Sequence, residues 1–424
     1  MAEETWVCVC RVLQGTQVPH RLCLSIEQRE VSVVNRLSSE VASSQRSNDS
    51  TTEDLSRQSC VVYSAQAVVN FRECVGSRFR EPRVWLESRN LGRLKPGWLR
   101  LRMLRVGLCG TDLHLMETAE DGRIRCTSPL SIPPEGRLIG HEGVGRVEAV
   151  GSGVHHVQPG DVVCCESIIR CGVCVPCRRG HFNQCERAEL LGLQTDGLFA
   201  DRVDLPAGLA HRVNDLAESV AGRDGLACVE PAAVAFLACQ NARLAPGEAV
   251  LVQGGGPIGY LTALLARTVF GAGHVCVSEP GAYRREHARS VADITVTPSE
   301  LHGLEREFDV LIEASGALGG VDRQLEVMRP NGRVVLLART GTPLEITRVD
   351  AMITRSLSIM GSRGHLGGAF DAILGLLRSG RLELRQVVTQ VVPGLSGLKV
   401  ALENPGAIAA RECKVIADLE ETGT

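Results

Sequence analysis

The chain has 424 residues, which is enough for two domains that each bury a hydrophobic core. Its formal net charge of −3 provides no basic surface, so we expect no binding of nucleic acid or of an acidic membrane. The sequence contains no run of about 18 apolar residues, which argues against a transmembrane helix. Its first residues are acidic and lack an apolar stretch, so we expect no secretory signal and a cytoplasmic location.

The first 58 residues differ in composition from the rest of the chain. Their second half, from about residue 38, is rich in Ser, Thr, Asn, Asp and Glu and has few large apolar side chains. A segment of this kind cannot bury enough apolar surface to offset the entropy lost on ordering. We therefore predict that residues 1–58 are a disordered extension, with a partner-binding or regulatory arm as the alternative.

Short apolar runs predict β-strands from Val61 onwards. Val61-Val62-Tyr63 and Val84-Trp85-Leu86 are such runs, and residues 98–102 alternate apolar and basic side chains. Turns rich in glycine and proline follow at residues 151–153 and 159–161. This part of the chain is therefore expected to be rich in β-structure.

Four cysteines with short spacing lie beyond these strands. They follow the pattern C-x2-C-x2-C-x7-C and are Cys171, Cys174, Cys177 and Cys185. Four thiolates so close in sequence can surround one ion, which is the closed tetrahedral arrangement of structural zinc. The alternative is a set of buried or disulfide-bonded cysteines. The chain has 17 cysteines in all, but its length and this spacing favour zinc in a reducing cytosol over a disulfide framework.

Residues from three distant segments predict a second kind of metal site. Cys109 lies after the strand of residues 98–102, His141 and Glu142 follow a glycine, and Glu230 precedes a proline. One Cys, one His and one or two carboxylates are ligands that an open, catalytic zinc site uses. Each of these residues is weak evidence when it is considered alone.

The pattern changes to alternating strands and helices near residue 230. Residues 232–242 predict a helix, and residues 250–253 predict a buried strand that leads into a G-x-G-x-x-G turn. The next predicted strand ends in an acidic residue, as dinucleotide-binding folds require for the ribose. The expected cofactor-binding residues are Gly254, Gly256, Pro257, Ile258, Gly259 and Glu279.

These motifs and their order resemble the zinc-dependent medium-chain alcohol dehydrogenases, in particular the polyol (sorbitol) and threonine dehydrogenase branch. The resemblance extends from about residue 61 to the C-terminus. It implies an α/β protein with a partly open, GroES-like β-barrel and a Rossmann domain built on a doubly wound parallel sheet. The zinc-containing catalytic domain would be discontinuous, at residues 59–231 and 361–424, with the Rossmann domain inserted at 232–360.

The resemblance also implies the reaction, which is hydride transfer from a secondary alcohol to NAD. The substrate would be a polyol, a cyclitol or an amino alcohol, and a catalytic zinc would act as a Lewis acid on its hydroxyl group. Cys109 and His141 would be zinc ligands, and Glu142 and Glu230 compete for the remaining position. Because the charge of Glu279 repels a 2′-phosphate, we expect NAD rather than NADP.

Three further residues receive roles from the same resemblance. Thr111 would take the proton of the substrate hydroxyl group, His114 would relay it towards solvent, and Asp112 would orient His141. Dimers and tetramers both occur in the family, so we expect a homo-oligomer that acts on a small-molecule alcohol. The alternatives are a zinc-stabilised binding module without activity and an NADP-dependent reductase of the same superfamily.

Overall fold

The structure is a computed structural model that describes residues 56–68, 77–304, 307–365 and 368–420. Almost all of the predicted N-terminal extension therefore lies outside the described residues. Strand β1, Arg57–Ala67, pairs antiparallel with β2, Phe79–Asn90. Arg57 and Gln58 take part in this pairing, so the sheet begins two residues before the predicted boundary at residue 59. Backbone hydrogen bonds place these polar residues in the strand, which their side chains did not indicate.

The β-rich part of the chain continues with short strands and three helices. The elements are β3 (Trp98–Leu108), α1 (Gly110–Met116), β4 (Arg137–Leu138), β5 (Glu142–Val150), β6 (Val162–Cys165), β7 (Ile168–Ile169), α2 (Val175–Arg178), β8 (Glu189–Leu190), β9 (Arg202–Pro206), β10 (Ala210–Arg212) and α3 (Val220–Leu226). Helix α2 lies within the segment of the four cysteines, and α1 begins directly after Cys109.

A parallel sheet follows, as the alternation of apolar runs predicts. Its elements are α4 (Val229–Asn241), β11 (Ala249–Gln253), α5 (Pro257–Thr268), β12 (His274–Ser278), α6 (Ala282–Ala288), β13 (Ile294–Val296), β14 (Phe308–Glu313), α7 (Val321–Gln324), β15 (Met328–Leu336), α8 (Val349–Arg355) and β16 (Ser358–Gly361). The strand order is β13-β12-β11-β14-β15-β16, and every pair is parallel. Val250, Leu251 and Val252 are fully buried, because helices cover both faces of such a sheet.

The chain then returns to the β-rich part. It forms α9 (Ala369–Arg378), β17 (Val388–Pro393), α10 (Gly394–Glu403), α11 (Pro405–Arg411) and β18 (Lys414–Asp418). Strand β18 pairs antiparallel with β3, in a seven-stranded sheet of order β10-β6-β5-β3-β18-β17 with β9 also on β3. Strands β1, β2 and β4 form a separate three-stranded sheet of order β2-β1-β4. Strand β3 therefore pairs with β5 and β9, which follow it in the β-rich part, and with β18 from the C-terminal end of the described chain.

A buried arginine ties this return to the rest of the β-structure. Arg105 on β3 is 1% exposed, and its guanidinium group contacts the carboxylates of Asp224, Asp418 and Glu420 at 2.8, 2.6 and 2.6 Å. A buried charge is tolerated only when it is paired in this way. None of the helices in the described ranges is long and apolar enough to cross a membrane.

Candidate active site

The four spaced cysteines come together in the loop around α2. Their sulfur atoms lie within 4.8 Å of one another, with 3.8 Å between Cys174 and Cys185 and 3.6 Å between Cys185 and Cys171. Sulfur ligands at ~2.3 Å from a tetrahedral zinc ion would be roughly 3.8 Å apart, whereas a disulfide requires about 2.05 Å. The geometry therefore fits one zinc ion and does not fit disulfides.

Backbone N–H groups around the cysteine cluster favour thiolates. The amide of Cys174 donates to Sγ of Cys171 at 3.4 Å, and the amide of Arg187 donates to Sγ of Cys185 at 3.3 Å. Such donors from Val173 and Cys174 lower the pKa of Cys171 to about 6. Since zinc binds the thiolate form, the local backbone prepares the cluster for a cation.

The second predicted site comes together at the ends of β3 and β5. Cys109 follows β3, and His141 and Glu142 stand at the start of β5, which pairs antiparallel with β3. The pairing places Glu142 opposite Gly107, where a side chain would collide with the carboxylate. One ligand atom each from Cys109, His141 and Glu142 lies within 4.8 Å of the other two. Sheet register thus brings together residues that lie more than 30 positions apart.

The electrostatics of this group suit a bound cation. Burial lowers the pKa of His141, but the thiol group of Cys109 and the carboxylate of Asp112 outweigh this effect and hold it well above the usual range. Burial raises the pKa of Asp112 to about 6. Oδ2 of Asp112 accepts the amide of Cys109 at 2.9 Å, whereas its buried Oδ1 has no partner in the described part of the chain. A positive ion would satisfy the excess of buried anionic groups.

Glu142 has a partner that the sequence did not reveal. Its Oε2 pairs with Nζ of Lys414 on β18, and both side chains are 1% exposed. Nζ also donates to the carbonyl oxygen of Leu108 at 2.9 Å. Burial lowers the pKa of Lys414, but the Glu142 carboxylate outweighs this effect and raises it. The available signal was a lysine directly before the apolar run Val415-Ile416-Ala417.

Glu230 occupies a different place from Glu142. It lies in the first turn of α4, and its Oε1 accepts a hydrogen bond from Oγ of Ser167 at 2.7 Å. The amide of Ser167 donates to Nε2 of His365 at 3.4 Å, and all three residues are buried. Glu230 is not part of the three-residue metal group, although its charge acts on His141. Ser167 and His365 carried no motif that would have identified them.

Thr111 and His114 lie on α1, where they line the same cleft as the metal group. Thr111 is half-buried and His114 is exposed. This arrangement places a hydroxyl group and an imidazole in the lining of the cleft that also contains the predicted ligands. Both positions agree with a proton path, and the roles of the two residues in it stay predictions.

The glycine turn between β11 and α5 requires its glycines. Gly254 has φ +102°, in the region that favours glycine, and a side chain at Gly259 would collide with the carbonyl oxygen of Gly254. Gly256 is the N-cap of α5, with Pro257 in its first turn and Ile258 next to it. The free N–H groups at this helix start face a cleft and suit a pyrophosphate.

Glu279 lies at the end of β12, beside the glycine turn. Its Oε2 accepts from the amide of Gly255 and its Oε1 from the amide of Gly281, both at 2.7 Å. Arg285 donates to the carbonyl oxygen of Glu279 at 2.9 Å, and Arg284 donates to that of Glu412 at 2.8 Å. The carboxylate is therefore held rigidly where an adenosine ribose would lie.

One cleft of about 580 Å³ contains both sets of residues. Its lining includes Cys109, His141 and Glu142 of the metal group together with Gly254, Gly256, Pro257, Ile258 and Glu279 of the cofactor turn. A metal group and a dinucleotide turn that share a cleft define the class of zinc- and nicotinamide-dependent oxidoreductases.

Comparison with known proteins agrees with this class. Residues 95–215 match the alcohol dehydrogenase GroES-like domain, and residues 257–379 match the zinc-binding dehydrogenase domain. The L-threonine 3-dehydrogenase of Pyrococcus horikoshii is 32% identical over 326 residues, which cover 73% of this chain and 88% of that protein. The scyllo-inosose 3-dehydrogenase of Thermotoga maritima is 31% identical over 347 residues, which cover 75% and 86%.

A solved structure shows the same fold. An alcohol dehydrogenase of Escherichia coli CFT073, in complex with NADH, superposes with a TM-score of 0.71 at 22% identity and covers 86% of this chain and 99% of that one. The chain belongs to the zinc-binding medium-chain alcohol dehydrogenase family, in its polyol and threonine dehydrogenase branch. The predicted family, the α/β fold class and the class of NAD(P)-dependent alcohol dehydrogenase are thus confirmed.

Proposed function

We propose that the protein oxidises a secondary alcohol that carries an adjacent hydroxyl or amino group and transfers the hydride to NAD. The observation that carries this proposal is the shared cleft, whose lining contains both Cys109, His141 and Glu142 and the glycine turn. These three residues would hold the catalytic zinc, and the four clustered cysteines would hold a structural zinc. Glu230 remains the alternative carboxylate ligand.

The zinc ion supplies Lewis acidity that makes a substrate hydroxyl group easier to deprotonate. Thr111 would accept the substrate proton at its Oγ1 while its own hydroxyl proton leaves towards exposed His114, which lies three positions further along α1, and towards solvent. Asp112 holds the segment of Cys109 through a hydrogen bond and orients His141 by its charge. The glycine turn positions the dinucleotide so that its ring reaches the reacting carbon.

The substrate class follows from the acceptors beside the metal group. Glu142 and Glu230 are buried carboxylates that bind Lys414 and Ser167 through one oxygen each, and their other oxygens can accept a hydroxyl or amino group of the substrate. A simple alkanol offers no second donor for these oxygens. The names of the relatives, which act on threonine and on scyllo-inosose, support this choice. One of these compounds is charged and the other is neutral, so the names leave the charge of the substrate open.

We expect vicinal diols and amino alcohols to exceed ethanol and 1-butanol in kcat/KM by about 10-fold or more, because one additional hydrogen bond to a charged group contributes roughly 1.5–3 kcal/mol. Glu230→Ala should reduce that preference. Initial rates of NADH formation with each alcohol measure both effects. Equal turnover of ethanol and the diols by the wild-type enzyme would contradict the proposed substrate class.

The cofactor preference rests on Glu279. Its carboxylate is fixed by two amides at the place of the adenosine ribose, where a 2′-phosphate would meet like charge. We expect kcat/KM for NAD to exceed that for NADP by about 10-fold or more, since like-charge contacts cost over ~1 kcal/mol. Glu279→Gln should lower the ratio of kcat/KM for NAD to kcat/KM for NADP. A preference of the wild-type enzyme for NADP would instead assign the pocket to Arg284 or Arg285.

The remaining parts of the proposal concern organisation. The sheet membership of β17 and β18 supports a discontinuous catalytic domain at residues 59–231 and 361–424, with the Rossmann domain at 232–360. Family membership supports a homo-oligomer, a dimer or a tetramer, that works in the cytoplasm on a small-molecule alcohol.

A further inference from the structure

Two arginines line the catalytic cleft without a carboxylate partner. Arg339 and Arg363 both face it, and within the described ranges neither forms an ion pair with an acidic side chain. Lys414 differs from them because it pairs with Glu142, and Arg284 differs because it approaches the start of α5, where the cofactor phosphates are expected. Guanidinium groups that lie in a cleft without a counter-charge suggest a ligand that supplies one.

Arg339 borders the end of the cleft at which α1 lies. It follows β15, and its Nη2 donates to the carbonyl oxygen of Thr127 at 3.2 Å. The neighbouring Cys126 donates its amide to the carbonyl oxygen of His114 at 3.0 Å. This backbone connection places Arg339 beside the segment of the predicted proton path.

Arg363 borders the same end from the side of the metal group. Its carbonyl oxygen accepts a hydrogen bond at 2.7 Å from Nδ2 of Asn183, which lies between Cys177 and Cys185. Two residues further on, His365 contacts Ser167, which donates to Glu230. These contacts hold the backbone at Arg363 and at His365, and the half-buried side chain of Arg363 lines the cleft.

The two guanidinium groups act on each other. Burial lowers the pKa of Arg363, and the positive charge of Arg339 lowers it further. Both side chains line the same cleft, so an anion bound there would offset their two positive charges. An arginine fork matches the oxygens of a carboxylate or a phosphate.

We propose that Arg339 and Arg363 bind an anionic group of the substrate, a carboxylate or a phosphate ester. The protein would then act on an anionic hydroxy compound in preference to a neutral polyol. This inference rests on the proposed alcohol oxidation and adds the charge of its substrate. The cofactor phosphates do not explain the pair, because they are expected at the start of α5, where Arg284 approaches Gly256.

Matched alcohols that differ only in the anion test the inference. D-sorbitol, D-gluconate and D-sorbitol 6-phosphate form one series, and threoninol with L-threonine forms a second. We expect the anionic member of at least one series to exceed its neutral counterpart by about 10–100-fold in kcat/KM, as charged hydrogen bonds allow. The carboxylate and phosphate arms distinguish the two kinds of anion.

Variants of the arginines supply the second half of the test. Arg363→Gln and Arg339→Gln should each bring the anionic-to-neutral ratio towards one, mainly through KM, and Arg363→Lys should retain part of it. Arg381→Gln is the matched control, since this exposed arginine lies outside the cleft lining and should leave the ratio unchanged.

Binding without turnover separates this inference from the proposed function. Calorimetry of the enzyme with gluconate and with inorganic phosphate should show an affinity that Arg363→Gln lowers about 10-fold or more. The anion site would be overturned if neutral and anionic members had the same kcat/KM and this ratio were equal in all variants. Alcohol oxidation would still stand in that case. If no alcohol is oxidised, the proposed function is wrong, but the binding measurement still tests the anion site. Equal anion affinity in the wild type and in Arg363→Gln would then overturn this inference as well.

Discussion

Cys109→Ala is expected to lower kcat/KM by about 10³-fold or more, because a catalytic metal contributes several kcal/mol and each tenfold costs about 1.4 kcal/mol. Its sulfur is one of three ligand atoms in the group with His141 and Glu142. The residue is half-buried at the start of α1, so its removal leaves little unfilled space. The Tm should therefore change little, while elemental analysis should show zinc falling from two ions per chain to one.

A substitution in the four-cysteine cluster should lower the stability of the protein, unlike Cys109→Ala, which should mainly lower its activity. Cys174→Ser removes one of four ligands from a closed site whose binding energy is also folding energy, so it should lower Tm or prevent folding. Cys239→Ala is a control at a fully buried cysteine of α4 that belongs to neither metal group, and it should retain both zinc ions. Equal losses of stability in Cys109→Ala and Cys174→Ser would contradict this division between the two sites.

Lys414→Met is expected to destabilise the protein by about 3–5 kcal/mol, which is the cost of breaking a buried ion pair by removing one partner. The Glu142 carboxylate is 1% exposed and would lose its counter-charge. The carbonyl oxygen of Leu108 would lose its donor at the same time. A fall in Tm on the order of 10 °C should result, and differential scanning calorimetry measures it.

The effect of Lys414→Met should grow when the zinc is removed with a chelator, because the ion is the other positive charge beside Glu142. Lys414→Arg should restore part of the stability, since it keeps the charge. Lys399→Met is the matched control: its ion pair with Glu403 is partly exposed and should contribute below ~1 kcal/mol. A Lys414→Met variant as stable as the wild type would show that Glu142 does not depend on this lysine.

Motifs whose members are close in sequence can be recognised from the amino-acid sequence alone. Cys171 to Cys185 span a single short loop, so their spacing alone restricts them to one ion, and the observed sulfur distances agree. The turn at Gly254 to Gly259 is equally local, because a strand, a tight turn and a helix start are each visible in the residues themselves. Short loops leave the chain few alternatives, which is why these predictions were specific.

Contacts between distant segments were decided by the tertiary structure. Sequence patterns could not choose between Glu142 and Glu230, because the choice depends on the register of β5 against β3 and on the start of α4. The partner of Glu142 lies 272 positions away on β18, and that of Ser167 lies 198 positions away at His365. Spacing carries no information over such separations, since the sheet order determines which side chains meet.

The charge of the cleft was decided in the same way. Arg339 and Arg363 are two among many arginines in the sequence, and no local pattern distinguishes them. The strand ends at β15 and β16 bring them to the same cleft as the metal group. The sequence by itself predicted the family, the four-cysteine cluster and the cofactor turn, because their chemistry lies in short motifs. Only the folded chain decided which buried charges are paired and which remain for a ligand, because pairing depends on elements that meet from opposite ends of the sequence.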